Sequence, residues 1–163
     1  MEGARTATSA DAPALIALVR QATEELAPHR GGQVWRQHDA WPEPIDEAIT
    51  ARCGPTPPAG TCAVVGTIDD TVIGYGLGRL DPLHDGTVLA VVTDLFVDPA
   101  ARAVGVGEAM MDLLVAWATE HQAIGIDALA LPGDRETKNF FETFGLTARA
   151  LVVHRSLPGA EPS

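Results

Sequence analysis

The stretch from Thr87 to Trp117 constrains the fold of this chain more than any other part of its sequence. The residues from Thr87 to Val97 have the β-branched composition of a strand, and those after Gly105 carry apolar side chains at helical spacing. Between them lies the turn Arg102-Ala103-Val104-Gly105-Val106-Gly107. The first N–H groups of a helix lack partners within the helix and carry partial positive charge. This turn therefore has the chemistry to hold a phosphate or pyrophosphate.

Two other phosphate-binding motifs do not fit the turn. The dinucleotide fingerprint requires a glycine three residues beyond Gly107, where the sequence has Met110. A Walker loop requires lysine after glycine, and the only lysine of the chain is Lys138. A structural alternative stays open, in which Gly105 and Gly107 only allow close packing of the helix on the strand.

Length and composition define the broad class of protein. A chain of 163 residues predicts one domain over residues 1–163, with residues 157–163 as a disordered tail. The formal net charge of −11 argues against nucleic acid or a membrane surface as partner and favours cationic partners. The sequence shows no signal pattern and no long apolar run, which predicts a cytoplasmic location. Cys53 and Cys62 lack a metal-ligand or redox spacing, so we expect reduced thiols and no metal.

The first part of the chain predicts a helix followed by an irregular segment. Apolar residues at helical spacing predict a helix from Ala12 to Leu26, with Asp11 as its cap. The next segment, 29–44, is rich in glycine and proline and contains Trp35 and Trp41. It either lines a binding cleft or forms a surface loop anchored by its two tryptophans.

The middle of the chain predicts a short helix from Ile45 to Arg52 and then three antiparallel strands. The strands are Thr61–Ile68, Thr71–Leu80 and Thr87–Val97. The pair Asp69-Asp70 is a hairpin signal between the first two strands. Three glycines leave room for a ligand on one face of the second strand: Gly74, Gly76 and Gly78.

The last part of the chain predicts a strand, a helix and a strand. Ile126 to Leu131 is an apolar run after a helix, which favours parallel pairing with the Thr87 strand through a right-handed crossover. Asp134 can cap a helix that reaches Phe144 and ends at Gly145. Leu146 to Arg155 has the composition of a final strand.

The order of these elements and two of their motifs resemble the GNAT superfamily of acyl-CoA-dependent N-acetyltransferases, over nearly the whole chain. LFVDPAARAVGVG resembles the central signature of that family, and NFFETFGL resembles its second signature. The resemblance implies an α/β (α+β) fold with a mixed, mostly antiparallel central sheet flanked by helices. It also implies that the sheet splays beside the Thr87 strand and that acetyl-CoA is the cosubstrate.

The resemblance assigns cofactor contacts residue by residue. Pantetheine would lie along Leu95, Phe96 and Val97. The pyrophosphate would lie against Arg102, Ala103, Val104, Gly105, Val106, Gly107 and Glu108. In the second signature, Asp134 and Phe141 stand where many members have an asparagine and a tyrosine. That tyrosine often protonates the departing thiolate, which phenylalanine cannot do, so the acid is left open. Tyr75, the only tyrosine, is either a substitute acid or a packing residue.

The resemblance also implies an acidic residue on the central strand that deprotonates the amine. Thr93 stands at the more usual acidic position and would have to act through a water, and Asp94 follows it. Strand alternation places these two side chains on opposite faces unless a bulge intervenes. We expect Asp94 to share its face with Val88, Ala90, Val92 and Phe96. Asp94 is then either the base or a partner of backbone N–H groups, while N–H groups near Leu95 and Phe96 stabilise the oxyanion.

The sequence thus predicts an enzyme that moves an acetyl group from acetyl-CoA to a primary amine of a small molecule or peptide, by direct attack in a ternary complex. The acidic charge and the tryptophans favour a cationic or aromatic acceptor. The alternative, favoured by Phe141 and Thr93, is an acyl-CoA-binding sensor or interaction module with weak or no catalysis. A homodimer through the final strand is compatible with this fold.

Overall fold

The computed structural model of the chain describes residues 1–102 and 105–159. It divides into two compact units, one formed by Met1–Ala22 and Pro42–Leu129 and the other by Thr23–Trp41 and Ala130–Ser163. The predicted phosphate contacts Ala103 and Val104, and residues 160–163 of the predicted tail, lie outside the described residues.

A five-stranded sheet in the order β1-β2-β3-β4-β5 forms the centre of the first unit. The strands are β1 (Glu2–Thr6), β2 (Thr61–Ile68), β3 (Thr71–Pro82), β4 (Val88–Val97) and β5 (Ile126–Ala128). The first four pair antiparallel, and β5 pairs parallel to β4. This mixed sheet confirms the predicted fold class and the predicted order of β2 to β5. The short strand β1 was not predicted, because its sequence EGART has neither β-branched residues in number nor an apolar alternation.

The turn between β2 and β3 confirms the hairpin prediction. Asp69 and Asp70 have φ angles of 47° and 66°, in the left-handed region. Two left-handed residues make the turn whose twist matches that of the flanking strands, and aspartate tolerates this conformation.

The described part of the chain contains five α-helices. They are α1 (Ala12–Leu26), α2 (Gly32–His38), α3 (Asp46–Cys53), α4 (Val106–Glu120) and α5 (Arg135–Thr143). The helices α1, α3, α4 and α5 agree with the predictions to within a residue or two. None of them has the length and apolarity that a membrane-crossing helix requires.

Asp11 does not cap α1 as predicted. It ends a short 3-10 turn, Ser9–Asp11, and α1 follows directly. Its carboxylate accepts hydrogen bonds from Arg5 Nη1 at 2.8 Å and Nη2 at 3.0 Å, and from the Thr8 backbone N–H at 2.7 Å. Chiefly through the bond with Arg5, the pKa of Asp11 falls to about 2. The carboxylate of Asp11 thus binds Arg5 of β1 instead of the first N–H groups of α1.

The glycines of the sheet accommodate α4 and not a ligand, which corrects the expectation for β3. A Cβ on Gly66 would lie 2.1 Å from Cγ1 of Val106, and one on Gly78 would lie 2.8 Å from the ring of Trp117. At Gly76 it would lie 3.1 Å from Leu114. The distances at Gly66 and Gly78 are too short for a side chain and the one at Gly76 is tight, so the glycines let α4 pack closely against the strands.

The second unit holds a helix that the sequence analysis missed. α2 lies inside the segment expected to be irregular, and it begins after Gly31, whose φ of 84° is left-handed. Most of its side chains are exposed, so it lacks the apolar stripe that identifies a helix from sequence. Trp35 and Trp41 are both half-buried.

The predicted final strand, Leu146–Arg155, is absent from the described structure. These residues belong to the second unit and form no helix or strand. Leu151, Val152 and Val153 are 85%, 93% and 91% exposed. A strand is stable only when its backbone groups pair with a neighbour, so composition alone predicted this element wrongly.

Candidate active site

β4 loses its neighbour on one side halfway along its length. The parallel pairing joins Ala90, Val91 and Val92 to β5 and goes no further, while β4 continues to Val97. On that side Ala90 donates its N–H to the carbonyl of Gly125 at 3.0 Å. In the described sheet, the last residues of β4 therefore have no paired strand on this side, and this unpaired flank is called the gap below. The splay of the sheet beside it stays a prediction.

The main chain of Leu95 and Val97 is directed into this gap. The N–H of Asp98 donates to the carbonyl of Ile73 in β3 at 2.8 Å. Because main-chain groups alternate sides along a strand, those of Phe96 also face β3, and those of Leu95 and Val97 face the opposite side. Of the three predicted pantetheine contacts, Leu95 and Val97 thus turn main-chain groups to the gap, whereas the side chain of Phe96 is buried.

A β-bulge at Thr93 separates the two halves of β4. Leu77 lies opposite Asp94, and its neighbour Gly78 lies opposite Val92, so Thr93 is the extra residue. The hydroxyl of Thr93 donates to the carbonyl of Leu77 at 3.3 Å. This hydrogen bond to β3 holds Thr93 in its place in the bulge.

The bulge corrects the predicted surroundings of Asp94. Residues directly opposite across a sheet share a face, so Asp94 shares its face with Leu77 and, two residues on, with Phe96. Val92 is opposite Gly78, which faces Trp117 of α4. The expected neighbours Val88, Ala90 and Val92 consequently lie on the α4 face, since the extra residue reverses the alternation.

Two of the predicted catalytic residues are hydrogen-bonded to each other. The phenol O–H of Tyr75 donates to Oδ2 of Asp94 at 3.2 Å. Tyr75 is 2% exposed, and its ring packs at a tilt against that of Phe96, with centroids 6.3 Å apart. Burial, and then the charge of Asp94, raise the pKa of Tyr75 well above its usual value. Tyr75 is consequently a very weak acid at neutral pH.

Arg52 is a charged residue near this pair that the sequence analysis did not identify. Arg52 lies in the last turn of α3 and is half-buried. Its Nη2 donates to the carbonyl of Gly78, beside the bulge, at 3.0 Å. Burial lowers the pKa of Arg52, and the negative charge of Asp94 opposes this. The signal available in the sequence was an arginine next to Cys53, on the same helix as the apolar Ile49.

The turn after β4 places a positive charge at the end of the gap. Nε of Arg102 donates to the carbonyl of Val97 at 2.9 Å, and the guanidinium carbon lies 5.3 Å from the centroid of the Phe96 ring. Gly105 has a left-handed φ of 84°, and a Cβ there would meet nothing within 4 Å. α4 then begins at Val106, with Gly107 and the exposed Glu108 in its first turn. The described part of the predicted phosphate turn is thus a helix start with an arginine beside it.

Asp134 and Phe141 lie in the second unit. The carboxylate of Asp134 caps α5, accepting from the backbone N–H of Thr137 at 3.3 Å and from its hydroxyl at 2.6 Å. Phe141 is 6% exposed and contacts Phe140 edge to face. The capping confirms the predicted start of α5, and the cofactor contacts of both residues stay a prediction.

Burial makes the two cysteines weak nucleophiles. Cys53 and Cys62 are both free thiols. Burial raises the pKa of Cys62 to about 11 and that of Cys53 above its usual value, so neither is a ready nucleophile at neutral pH. Within residues 1–102 and 105–159, no three histidine, cysteine, aspartate or glutamate side chains are grouped to hold a metal ion.

Comparison with protein families gives the class to which this fold and site belong. The acetyltransferase (GNAT) family model matches residues 18–146, and the chain belongs to that family. A comparison with curated proteins found no match.

Solved structures with the same fold cover almost the whole chain. A tetramutant of the BH1408 protein from Bacillus halodurans has a TM-score of 0.78 and 19% identity, covering 94% of this chain and 99% of that one. The ribosomal-protein-alanine N-acetyltransferase from Brucella melitensis biovar Abortus 2308 has a TM-score of 0.69 and 14% identity, covering 96% of this chain and 99% of that one. The aminoglycoside acetyltransferase meta-AAC0020 from an uncultured soil metagenomic sample, in complex with trehalose, has a TM-score of 0.69 and 18% identity. The match covers 96% of this chain and 95% of that one. At these identities the likeness establishes the fold alone.

Proposed function

We propose that this protein transfers an acetyl group from acetyl-CoA to a primary amine of a small molecule or peptide, by direct attack within a ternary complex. The observation that carries the proposal is the end of β4, where main-chain groups of Leu95 and Val97 lie on the unpaired flank of the strand, next to Asp94 with its carboxylate. Membership of an acetyltransferase family supplies the reaction type, and these groups supply the chemistry that amine acetylation needs.

The cofactor is proposed to lie along β4 and across the turn that follows. Pantetheine would take the place of a missing strand, bonding the main chain of Leu95 and Val97. The pyrophosphate would meet Arg102 and the N–H groups at the start of α4. By resemblance, Ala103, Val104, Asp134 and Phe141 would complete the contacts.

The proposed base is Asp94. A protonated amine has no lone pair, so the carboxylate of Asp94 takes one proton, directly or through a water held near Thr93. The amine nitrogen then forms a bond to the thioester carbonyl carbon, and the oxyanion is stabilised by main-chain N–H groups near Leu95. When the intermediate collapses, the C–S bond breaks, the electron pair leaves on the CoA sulfur, and the second proton of the nitrogen passes to that thiolate or to solvent. A thiol has a pKa near 8.5, so the thiolate leaves without an obligatory acid.

The proposed acceptor is a cationic or aromatic amine. A net charge of −11 favours the approach of cations. Among the similar structures, one is named for aminoglycosides and one for ribosomal-protein alanine. The proposed location is the cytoplasm, which agrees with the two free thiols.

Two measurements on the purified chain test this proposal. Calorimetry should detect acetyl-CoA binding, and release of the CoA thiol should accelerate with at least one acceptor from a panel of amines and peptides. Arg102→Gln should weaken acetyl-CoA binding by about tenfold, because one charge contact to phosphate is lost. The difference between this variant and the native protein should be smaller at high salt, which screens that contact. Arg155→Gln, in the exposed segment after α5, is the matched control. A folded protein without affinity for acetyl-CoA would exclude the proposal.

The alternative function is a sensor or interaction module that binds acyl-CoA with weak or no turnover. Thr93 at the usual acidic position and phenylalanine at position 141 support it. Tight acetyl-CoA binding without turnover on any acceptor would favour this module over the enzyme.

The same chain is proposed to form a homodimer through residues 151–153. Three adjacent apolar side chains there are almost fully exposed, which is unfavourable in water unless another surface covers them. Light scattering should give twice the chain mass for the native protein and a lower value for Val152→Asp.

A further inference from the structure

We infer that Tyr75 is a positioning residue, which holds the carboxylate of Asp94 in one orientation and keeps its own proton throughout the reaction. This inference rests on the proposed function, in which Asp94 is the base. It assigns Tyr75 a role different from that of an acid that protonates the CoA thiolate.

The geometry fixes both partners of the hydrogen bond. The ring of Tyr75 is buried and packs against Phe96, and its O–H donates to Oδ2 of Asp94 at 3.2 Å. Asp94 itself follows the bulge and sits opposite Leu77 on the neighbouring strand. A buried tyrosine has two torsions to restrict and loses little entropy in holding such a contact. The carboxylate is therefore orientated by a rigid donor.

An acid role for Tyr75 is opposed by the same surroundings. Losing its proton would leave a phenolate beside the carboxylate of Asp94, with two like charges in a buried place. Burial and the charge of Asp94 accordingly raise the pKa of Tyr75 well above its usual value. A donor that retains its proton favours the ionised form of the carboxylate, which is the form a base requires.

A positively charged group near Asp94 also favours the ionised form of its carboxylate. Arg52 of α3, with its guanidinium at the carbonyl of Gly78, interacts with the charge of Asp94. On the same sheet face, Arg79 of β3 is ion-paired with Asp81 at 2.8 Å, and Asp127 of β5 lies opposite Val91. The arginine of α3 therefore adds to the effect of Tyr75 on Asp94.

A titration of the Asp94 carboxyl carbon by NMR tests the inference without any need for turnover. Tyr75→Phe removes one oxygen from a buried ring, and it should raise the midpoint of Asp94 by about one pH unit, because the ionised form loses a donor. Arg52→Gln should raise it as well. Thr119→Val is the control, because it removes a hydroxyl of α4 that bonds to the carbonyl of Val115 and not to Asp94.

Kinetics distinguish positioning from acid catalysis once an acceptor is found. Under the inference, Tyr75→Phe shifts the acidic limb of the rate profile to higher pH in step with the Asp94 midpoint. It should lower kcat by about tenfold and leave KM for acetyl-CoA unchanged. An unchanged Asp94 midpoint in Tyr75→Phe overturns the inference while leaving the proposed function intact. Absence of turnover in the native protein overturns the proposed function, and the titration still decides the role of Tyr75.

Discussion

The two faces of the central strands differ in what they contribute to the molecule. The helix face, defined by Gly66, Gly74, Gly76 and Gly78, has no side chain at these four positions, so that α4 can pack closely on the strands. The polar face, defined by Tyr75 and Asp94, carries hydrogen-bonded ionisable groups beside the gap in the sheet. Glycines at regular spacing suggested access for a ligand, yet they serve packing, and the chemistry lies on the opposite side of the same strands.

The largest expected effect comes from the polar face. Asp94→Asn keeps the size of the side chain and removes the base, so turnover should fall by about 10²- to 10⁴-fold with acetyl-CoA affinity unchanged. Steady-state rates and calorimetry measure the two quantities. The matched control is Asp112→Asn, on the exposed side of α4. Equal rates for Asp94→Asn and the native protein at every pH would remove Asp94 from the proposed mechanism.

The helix face should respond in stability. Gly66→Ala places a Cβ where Cγ1 of Val106 lies 2.1 Å away, so the free energy of unfolding should fall by about 1–3 kcal/mol. Urea unfolding measures it. Gly3→Ala on β1 is the control, since nothing lies within 4 Å of its Cβ position. If both variants unfold at the same urea concentration, close packing of α4 does not explain the glycines.

The smallest effect is expected at the edge of the polar face, where Arg5 of β1 binds Asp11. The folded pKa of Asp11 is about 2, below its ordinary 3.8, so the pair stabilises the fold above pH 4 and this contribution disappears as the pH falls toward 2. Because Arg5 is half-exposed, we expect a contribution of about 1 kcal/mol. Unfolding measured at pH 5 and pH 2 should show a smaller decrease for Asp11→Asn than for the native chain. An equal decrease would show that Asp11 is not coupled to folding.

The order of the main elements could be predicted from sequence because their signals are local. Period-two and helical patterns define β2 to β4 and α1 and α4, and Asp134 and Gly145 correctly mark the ends of α5. Two conspicuous motifs placed the chain in its family, and the family model confirms this assignment.

The remaining features depend on contacts between distant residues. The bulge at Thr93 arises from the register of β3 against β4, which no local pattern specifies, and it reversed the predicted surroundings of Asp94. Arg52 approaches Gly78 from another helix, and β1 depends on β2 for its pairing. The predicted final strand is the opposite case, a local signal without the contacts that a strand needs. Residues 146–155 have the composition of a strand, but no neighbouring strand pairs with them in the described structure.

The extra residue in β4 has a consequence for protein engineering. Since Thr93 shifts the phase of the strand, the segment before it can be redesigned for tighter packing under α4 without altering the direction of the carboxylate that follows. If this strand paired without the bulge while keeping Thr93, Asp94 would instead turn toward α4 and Leu95 to the polar side. A graft of the complete strand into another scaffold therefore needs a partner strand that accepts the bulge at Thr93.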